Sequence, residues 1–168
     1  MISQTLARFV AGLASDAMPG RIRERAIYYI LDAVGIAFAS SREDFAKATL
    51  AAYRDLGGPG DTPVIGMPAD LSYRDAAAVN ALLVHGLDYD DTHLPGVIHI
   101  TASVLPCVLS LAARGHLSGA DLLTAYIAGV EAAGRLAAVA KGGFHQVGFH
   151  PTGAVRSEER RVGKECRL

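Results

Sequence analysis

Apolar residues recur at helical spacing along most of the chain. Ile2, Leu6, Phe9, Val10 and Leu13 mark one face of a first helix, which Pro19-Gly20 interrupts. Ile22, Ala26, Ile30, Ala33, Val34 and Ala37 continue a 3.6-residue rhythm, and the run from Ile27 to Phe38 is apolar on nearly all sides. Such a helix is expected at the centre of the fold, because none of its faces prefers water. Phe45 to Leu56 reads as a third helix, closed by Gly57-Gly58-Pro59-Gly60. Thr62 to Gly66 reads as a short extended segment, too short to seed a sheet.

Asp70 or Ser72 can cap a helix running through Ala76, Val79, Leu82 and Leu83 toward His85 and Asp88. The segment from Thr101 to Ala113 is again apolar and helical, with Pro106 either in its first turns or producing a kink. Ser118-Gly119-Ala120-Asp121 resembles a capping box that opens a helix through Tyr126, Gly129 and Ala133 to about Ala140. Small residues at Ala125, Gly129, Ala132 and Ala133 let a neighbouring backbone come close. Lys141-Gly142-Gly143 ends this helix, and residues 144–155 read as loop. The pattern predicts an all-α helical bundle, with residues 1–155 forming one domain.

Composition supports this reading. A chain of 168 residues, 51% apolar and 20% charged, can bury a core as one globular unit. The absence of Trp and the scarcity of Phe favour close-packed helices over a sheet. The formal net charge is −1, but residues 156–168 hold five Lys/Arg against three Asp/Glu, so the remainder carries −3. No basic patch is left to attract nucleic acid or an anionic membrane. Cys107 and Cys166 suggest no disulfide framework and fit a cytoplasmic protein with reduced thiols. The first residues lack the charged start and apolar run of a secretory signal. No stretch of about 20 residues lacks polar interruptions, so no membrane-spanning helix is expected. Residues 156–168 break abruptly from the apolar periodicity and read as a non-native tail, like a translated sequencing-library adapter joined to a truncated gene.

The chemistry concentrates in His85-Gly86-Leu87-Asp88-Tyr89-Asp90-Asp91-Thr92-His93 and the following turn to His99. On a continuing helix, His85, Asp88 and Thr92 would share one face, being three and four positions apart. A carboxylate beside an imidazole can hold one tautomer and raise its basicity, as proton transfer near neutral pH requires. The same Asp90-Asp91-Thr92 run also reads as a turn bonding its own backbone, and His85 as a core histidine. Asp with His invites a metal as well, but neither HExxH nor paired CxxC spacing is present, so no metal is expected. A second candidate is Phe144-His145-Gln146-Val147-Gly148-Phe149-His150-Pro151-Thr152-Gly153. There Pro151 keeps His150 out of helical geometry and Gly153 permits a close approach. His116 reads as a helix-terminal residue, His93 and His145 are ambiguous, and Cys107 is expected in the core.

These segments, with Ala78-Val79-Asn80 and Ile30-Leu31-Asp32-Ala33-Val34-Gly35, together resemble the MmgE/PrpD family over roughly residues 2–155. That family includes 2-methylcitrate dehydratases, cis-aconitate decarboxylases and iminodisuccinate epimerases. The resemblance implies the helical N-terminal part of a larger homodimeric enzyme whose second, α+β domain covers the cleft, with no metal or organic cofactor. It also implies that Asp88 and Thr92 match the family's active-site aspartate and threonine. His99 matches the histidine after that turn, and His150 the histidine of the His-Pro loop. His150 or His99 is then the acid/base group, Asp88 orients an imidazole or binds a substrate hydroxyl, and Thr92 donates to a substrate carboxylate. Asp91 and His85 join Thr92 as expected substrate-binding residues. The Thr92-to-His99 spacing is slightly longer than in the decarboxylase branch, and the downstream lysines and tyrosine of relatives have no counterpart. Before residue 156 only Lys47 and Lys141 could supply lysine cations, and neither lies in the cluster.

Three functions compete on these residues. The first is a lyase or isomerase, 2-methylcitrate dehydratase-like, acting on a small di- or tricarboxylate by proton transfer next to a carboxylate. The second is a non-catalytic helical dimerisation fragment, and the third an Asp/His metal hydrolase.

Overall fold

The computed structural model describes residues 2–139 together with Gly143 and Gly148. Among these, six α-helices follow one another: α1 (Ile2–Ala11), α2 (Gly20–Ser40), α3 (Asp44–Leu56), α4 (Tyr73–His85), α5 (Ile100–Gly115) and α6 (Gly119–Val139). Between α3 and α4 the chain forms an antiparallel pair of two-residue strands, β1 (Thr62–Pro63) and β2 (Asp70–Leu71), with Thr62 opposite Leu71. The all-α expectation holds. The extended segment at Thr62 does pair after all, because the turn at Gly66 brings the chain back on itself and Val64 N–H donates to Ala69 O at 2.9 Å.

Two capping boxes set helix starts. Ser72 Oγ accepts from Asp75 N–H at 3.3 Å and donates to the Asp75 carboxylate at 2.7 Å, opening α4. Ser118 does the same with Asp121, at 3.2 and 2.6 Å, opening α6. In each case a side chain satisfies a helix N–H that has no partner in the first turn. At the far end of α5, His116 adopts a left-handed conformation, and its N–H reaches the carbonyls of Ala112 and Ala113. Pro106 lies inside α5 and is fully buried, where it cannot donate to the carbonyl of Ala102.

The core forms around α4 and α5, the most extensively packed pair, with α6 packed against α5, α3 against α4, and α2 against α4, α5 and α6. Leu83, Val84 and Val79 of α4 meet Leu105 and Val104 of α5, and Tyr126 and Ile127 of α6 complete the cluster. Gly129 makes the α5–α6 approach possible, since a Cβ there would stand 2.5 Å from Val104 Cγ1. Asn80 ties the strand loop to α4: its Oδ1 accepts from Ile65 N–H at 2.8 Å and its Nδ2 donates to Pro63 O at 3.2 Å.

Three expectations are corrected. The central helix is not α2. Only Ala26, Ala33, Ile36, Ala37 and Ser40 of α2 are buried, while Tyr28, Leu31 and Phe38 stand exposed, Leu31 at 61%. A helix apolar all round has two usable faces, and within the described residues only one is covered. Cys107 is half-buried on α5 rather than fully enclosed. In addition, α6 is long and apolar enough by length and composition to cross a membrane, where the sequence reading expected no such stretch. Its Tyr126, Ile127, Ala128, Gly134 and Ala137 are buried inside the bundle.

Candidate active site

The helix α4 stops at His85, with Gly86 at its C-cap, so Asp88 and Thr92 do not continue its face. The helical-face argument from the sequence is therefore overturned. The chain turns instead: Asp88 N–H donates to His85 O at 2.9 Å and Asp88 takes a positive φ of 56°. Asp tolerates that left-handed geometry better than most residues. Beyond it, His93 and Ile98 form an isolated bridge, with His93 N–H donating to Ile98 O at 2.9 Å. This bridge closes a small loop that leads directly into α5. The loop rests on α6 at Gly96, where a Cβ would come within 2.4 Å of Ala137 Cβ.

The turn gathers two imidazoles and two carboxylates. His85 Nδ1 lies 3.0 Å from Asp90 Oδ1, in hydrogen-bond geometry. His99 Nδ1 lies 3.3 Å from the same oxygen, at ion-pair distance, and its Nε2 lies 3.9 Å from Asp88 Oδ1. The two rings stand 4.8 Å apart between centroids, tilted by 58°. The Asp90 side chain is only 1% exposed, whereas that of Asp88 is 80% exposed, so the cluster has a closed floor and an open mouth. His99 is 18% exposed and His85 44%.

Behind the cluster a second polar chain fixes the start of α5. Asp91 Oδ1 accepts from Thr101 N–H at 3.1 Å, capping the first turn from outside the helix. The Thr101 hydroxyl and the Tyr126 hydroxyl lie 2.6 Å apart, which joins α5 to α6. Burial holds the Asp91 carboxyl above its ordinary range, although the Thr101 hydrogen bonds oppose the shift. Burial likewise pushes the Tyr126 hydroxyl up, keeping it neutral at physiological pH.

The residues singled out from sequence meet different outcomes. The structure brings His85, Asp88 and His99 together. Asp91 faces the α5 backbone, where its carboxylate accepts from Thr101 N–H. Thr92 is exposed on the loop. His150 lies outside the described residues, as do His145 and Lys141. Lys47 is tied to Asp44 on α3 at 3.0 Å. Sequence reasoning did not single out Asp90, the one carboxylate that reaches both rings, nor the Thr101–Tyr126 pair. Asp90 is five residues from His85 and off any helical face, so periodicity could not point to it. The signal available was the Asp doublet before Thr92.

His85, Asp88, Asp90 and His99 also offer four ligand atoms within 4.8 Å of one another, a spacing open to a divalent cation although no metal-binding motif marks it in the sequence. The shortest contact among them is a hydrogen bond, so the cluster is equally coherent with protons alone.

A helical domain that sets imidazoles and carboxylates at the mouth of one turn is the kind of protein suited to moving protons on a small polar molecule. Comparison with known proteins makes the assignment: the MmgE/PrpD N-terminal domain matches residues 4–157, and the chain belongs to that family. Among curated relatives it is 30% identical to the cis-aconitate decarboxylase of Aspergillus terreus over 140 residues, covering 80% of this chain and 29% of that protein. It is 30% identical to the human cis-aconitate decarboxylase over 145 residues, covering 83% and 30%, and 31% identical to the mouse protein of the same name over 142 residues, covering 80% and 28%. The chain thus spans less than a third of the length of these relatives. The longer Thr92-to-His99 spacing does not set it apart from proteins of the decarboxylase name.

Proposed function

We propose that the chain forms the N-terminal part of a lyase or isomerase that acts on a small di- or tricarboxylate through imidazole-assisted proton transfer. One observation carries the reading: His99 sits between the buried Asp90 and the exposed Asp88, its ring edge turned to the open side of the turn. Breaking a C–H or C–C bond next to a carboxylate leaves an electron pair on carbon, and a positioned imidazole can remove or supply the proton involved. His150 is kept as a second acid/base candidate, with Thr92 and Asp88 as groups that bind the substrate. Likeness to cis-aconitate decarboxylases favours cis-aconitate as substrate, with 2-methylcitrate and iminodisuccinate as the alternatives. The full-length enzyme is proposed to be a cytoplasmic homodimer working without metal or organic cofactor, and not on nucleic acid or at a membrane.

The test uses a full-length protein containing this segment. Each of the three compounds is supplied, and products are separated and quantified. Turnover of one of them is expected to drop by about 100-fold or more in His99→Ala, the usual range for a lost acid/base group. Wild-type turnover in that variant would remove His99 from the mechanism. Chelator dialysis is expected to leave activity intact, and loss of activity restored by a stoichiometric divalent metal would favour the hydrolase reading instead.

A further inference from the structure

Asp90 belongs to none of the substrate-facing positions above, yet it is the most enclosed member of the cluster. Its side chain is 1% exposed, and its Oδ2 has no hydrogen-bond partner among the described residues. Burying a carboxylate is costly unless donors compensate it. Here the compensation falls to Oδ1, which is hydrogen-bonded to His85 Nδ1 at 3.0 Å and has His99 Nδ1 3.3 Å away, at ion-pair distance but outside hydrogen-bond geometry. A ring nitrogen presenting a lone pair at those distances would repel the oxygen, whereas an N–H is attracted to it.

We propose that Asp90 is a positioning residue: one buried carboxylate selects the Nδ1–H tautomer of both His85 and His99, leaving each Nε2 with its lone pair directed away from the floor. For His99 that nitrogen is the one facing Asp88, 3.9 Å away at the open mouth, where water screens the 80% exposed carboxylate and its pull on a proton is weaker than that of the nearer, 1% exposed Asp90. The acid/base atom is therefore Nε2 of His99, set by a residue that does not touch substrate. His85 shares the arrangement because the two rings flank the same oxygen, and its 44% exposure places its own Nε2 nearer to water. The logic is that of a metal-bound or catalytic histidine whose second nitrogen is held by a carboxylate. The catalytic meaning of this assignment rests on the proposed function, but the tautomers do not.

The experiment is nitrogen-15 magic-angle-spinning NMR on full-length protein labelled at histidine, with His85→Gln and His99→Gln identifying the signals. Both neutral rings are expected to show a protonated Nδ1 and an unprotonated Nε2. A protonated Nε2 on neutral His99 in the wild type would overturn the proposal. A second measurement follows steady-state turnover in Asp90→Asn, which keeps the volume and removes the charge. A fall in kcat of about 100-fold or more is expected, with KM little changed, because the wrong tautomer cannot exchange the proton. A rise in KM at unchanged kcat would contradict it. Should the tautomers be as expected while none of the polycarboxylates is turned over, the proposed function fails and the assignment of Asp90 stands.

Discussion

Asp90 and Asp91 are neighbours in sequence and do opposite work. Asp90 turns inward to two imidazoles, while Asp91 caps α5 through Thr101 N–H. Asp91 also carries a pH dependence whose sign can be stated. Its folded pKa is raised by burial, so the folded state holds the proton more tightly than the unfolded chain does. The contribution of this group to stability is full below the ordinary Asp range and is lost as pH rises through the raised value. Asp91→Asn keeps an oxygen for Thr101 N–H and removes the buried charge. Denaturant titrations from pH 3 to pH 7 should therefore show the variant gaining on the wild type as pH increases. A variant that loses ground to the wild type as pH increases would contradict the sign. Asp91→Ala, by contrast, leaves a buried N–H unmet and is expected to cost about 1–3 kcal/mol at pH 3, a cost that shrinks as pH rises because only the wild type loses stability there.

Helices α5 and α6 meet through one buried hydroxyl pair and one missing side chain. Tyr126→Phe removes one partner of the Thr101 hydroxyl, 2.6 Å away, and should destabilise the fold by about 0.5–1.5 kcal/mol, the Asp91 carboxyl remaining beside that hydroxyl. A double-mutant cycle with Thr101→Val measures the coupling between the two hydroxyls. Gly96→Ala tests the contact that seats the site loop. Its Cβ would collide with Ala137, so the loop must lift from α6, at a cost of about 1–3 kcal/mol in thermal or chemical unfolding. The helices themselves were readable from apolar spacing to within a few residues, including the Ser118–Asp121 box. The end of α4 was not: Val84-His85-Gly86-Leu87-Asp88 carries no strong breaker, and the helical rhythm runs on through it. The helix gives way to a local turn in which Asp88 N–H meets His85 O, and the loop beyond it docks on α6 at Ala137, a contact distant in sequence.

The exposed apolar face of α2 is the feature that belongs to the molecule as a whole. Ile27, Tyr28, Leu31 and Phe38 lie uncovered, and a patch of this kind on a folded domain marks an interaction surface. In the proposed full-length homodimer this face is expected to be covered. Sedimentation of the 168-residue chain should show concentration-dependent association, and Leu31→Glu should suppress it while leaving the helical circular dichroism unchanged. A monomer at all concentrations in both proteins would remove α2 from the assembly. The same helix shows how far composition reaches: an all-round apolar pattern establishes that both faces need cover, but not which of them the rest of this chain supplies.

Periodicity, caps and breakers are local, so the number, order and type of the helices follow from residues a few positions apart. The resemblance motifs carried the choice of family, and with it His99, Asp88 and His85 as members of one site. Which carboxylate reaches which ring was settled only by folding. His85, Asp90 and His99 are separated by five and nine residues across an irregular turn, and their approach depends on where α4 stops, how the His93–Ile98 loop sits against α6, and how Asp91 pins the start of α5. Hydrogen bonds at about 3 Å demand positions that no spacing rule encodes.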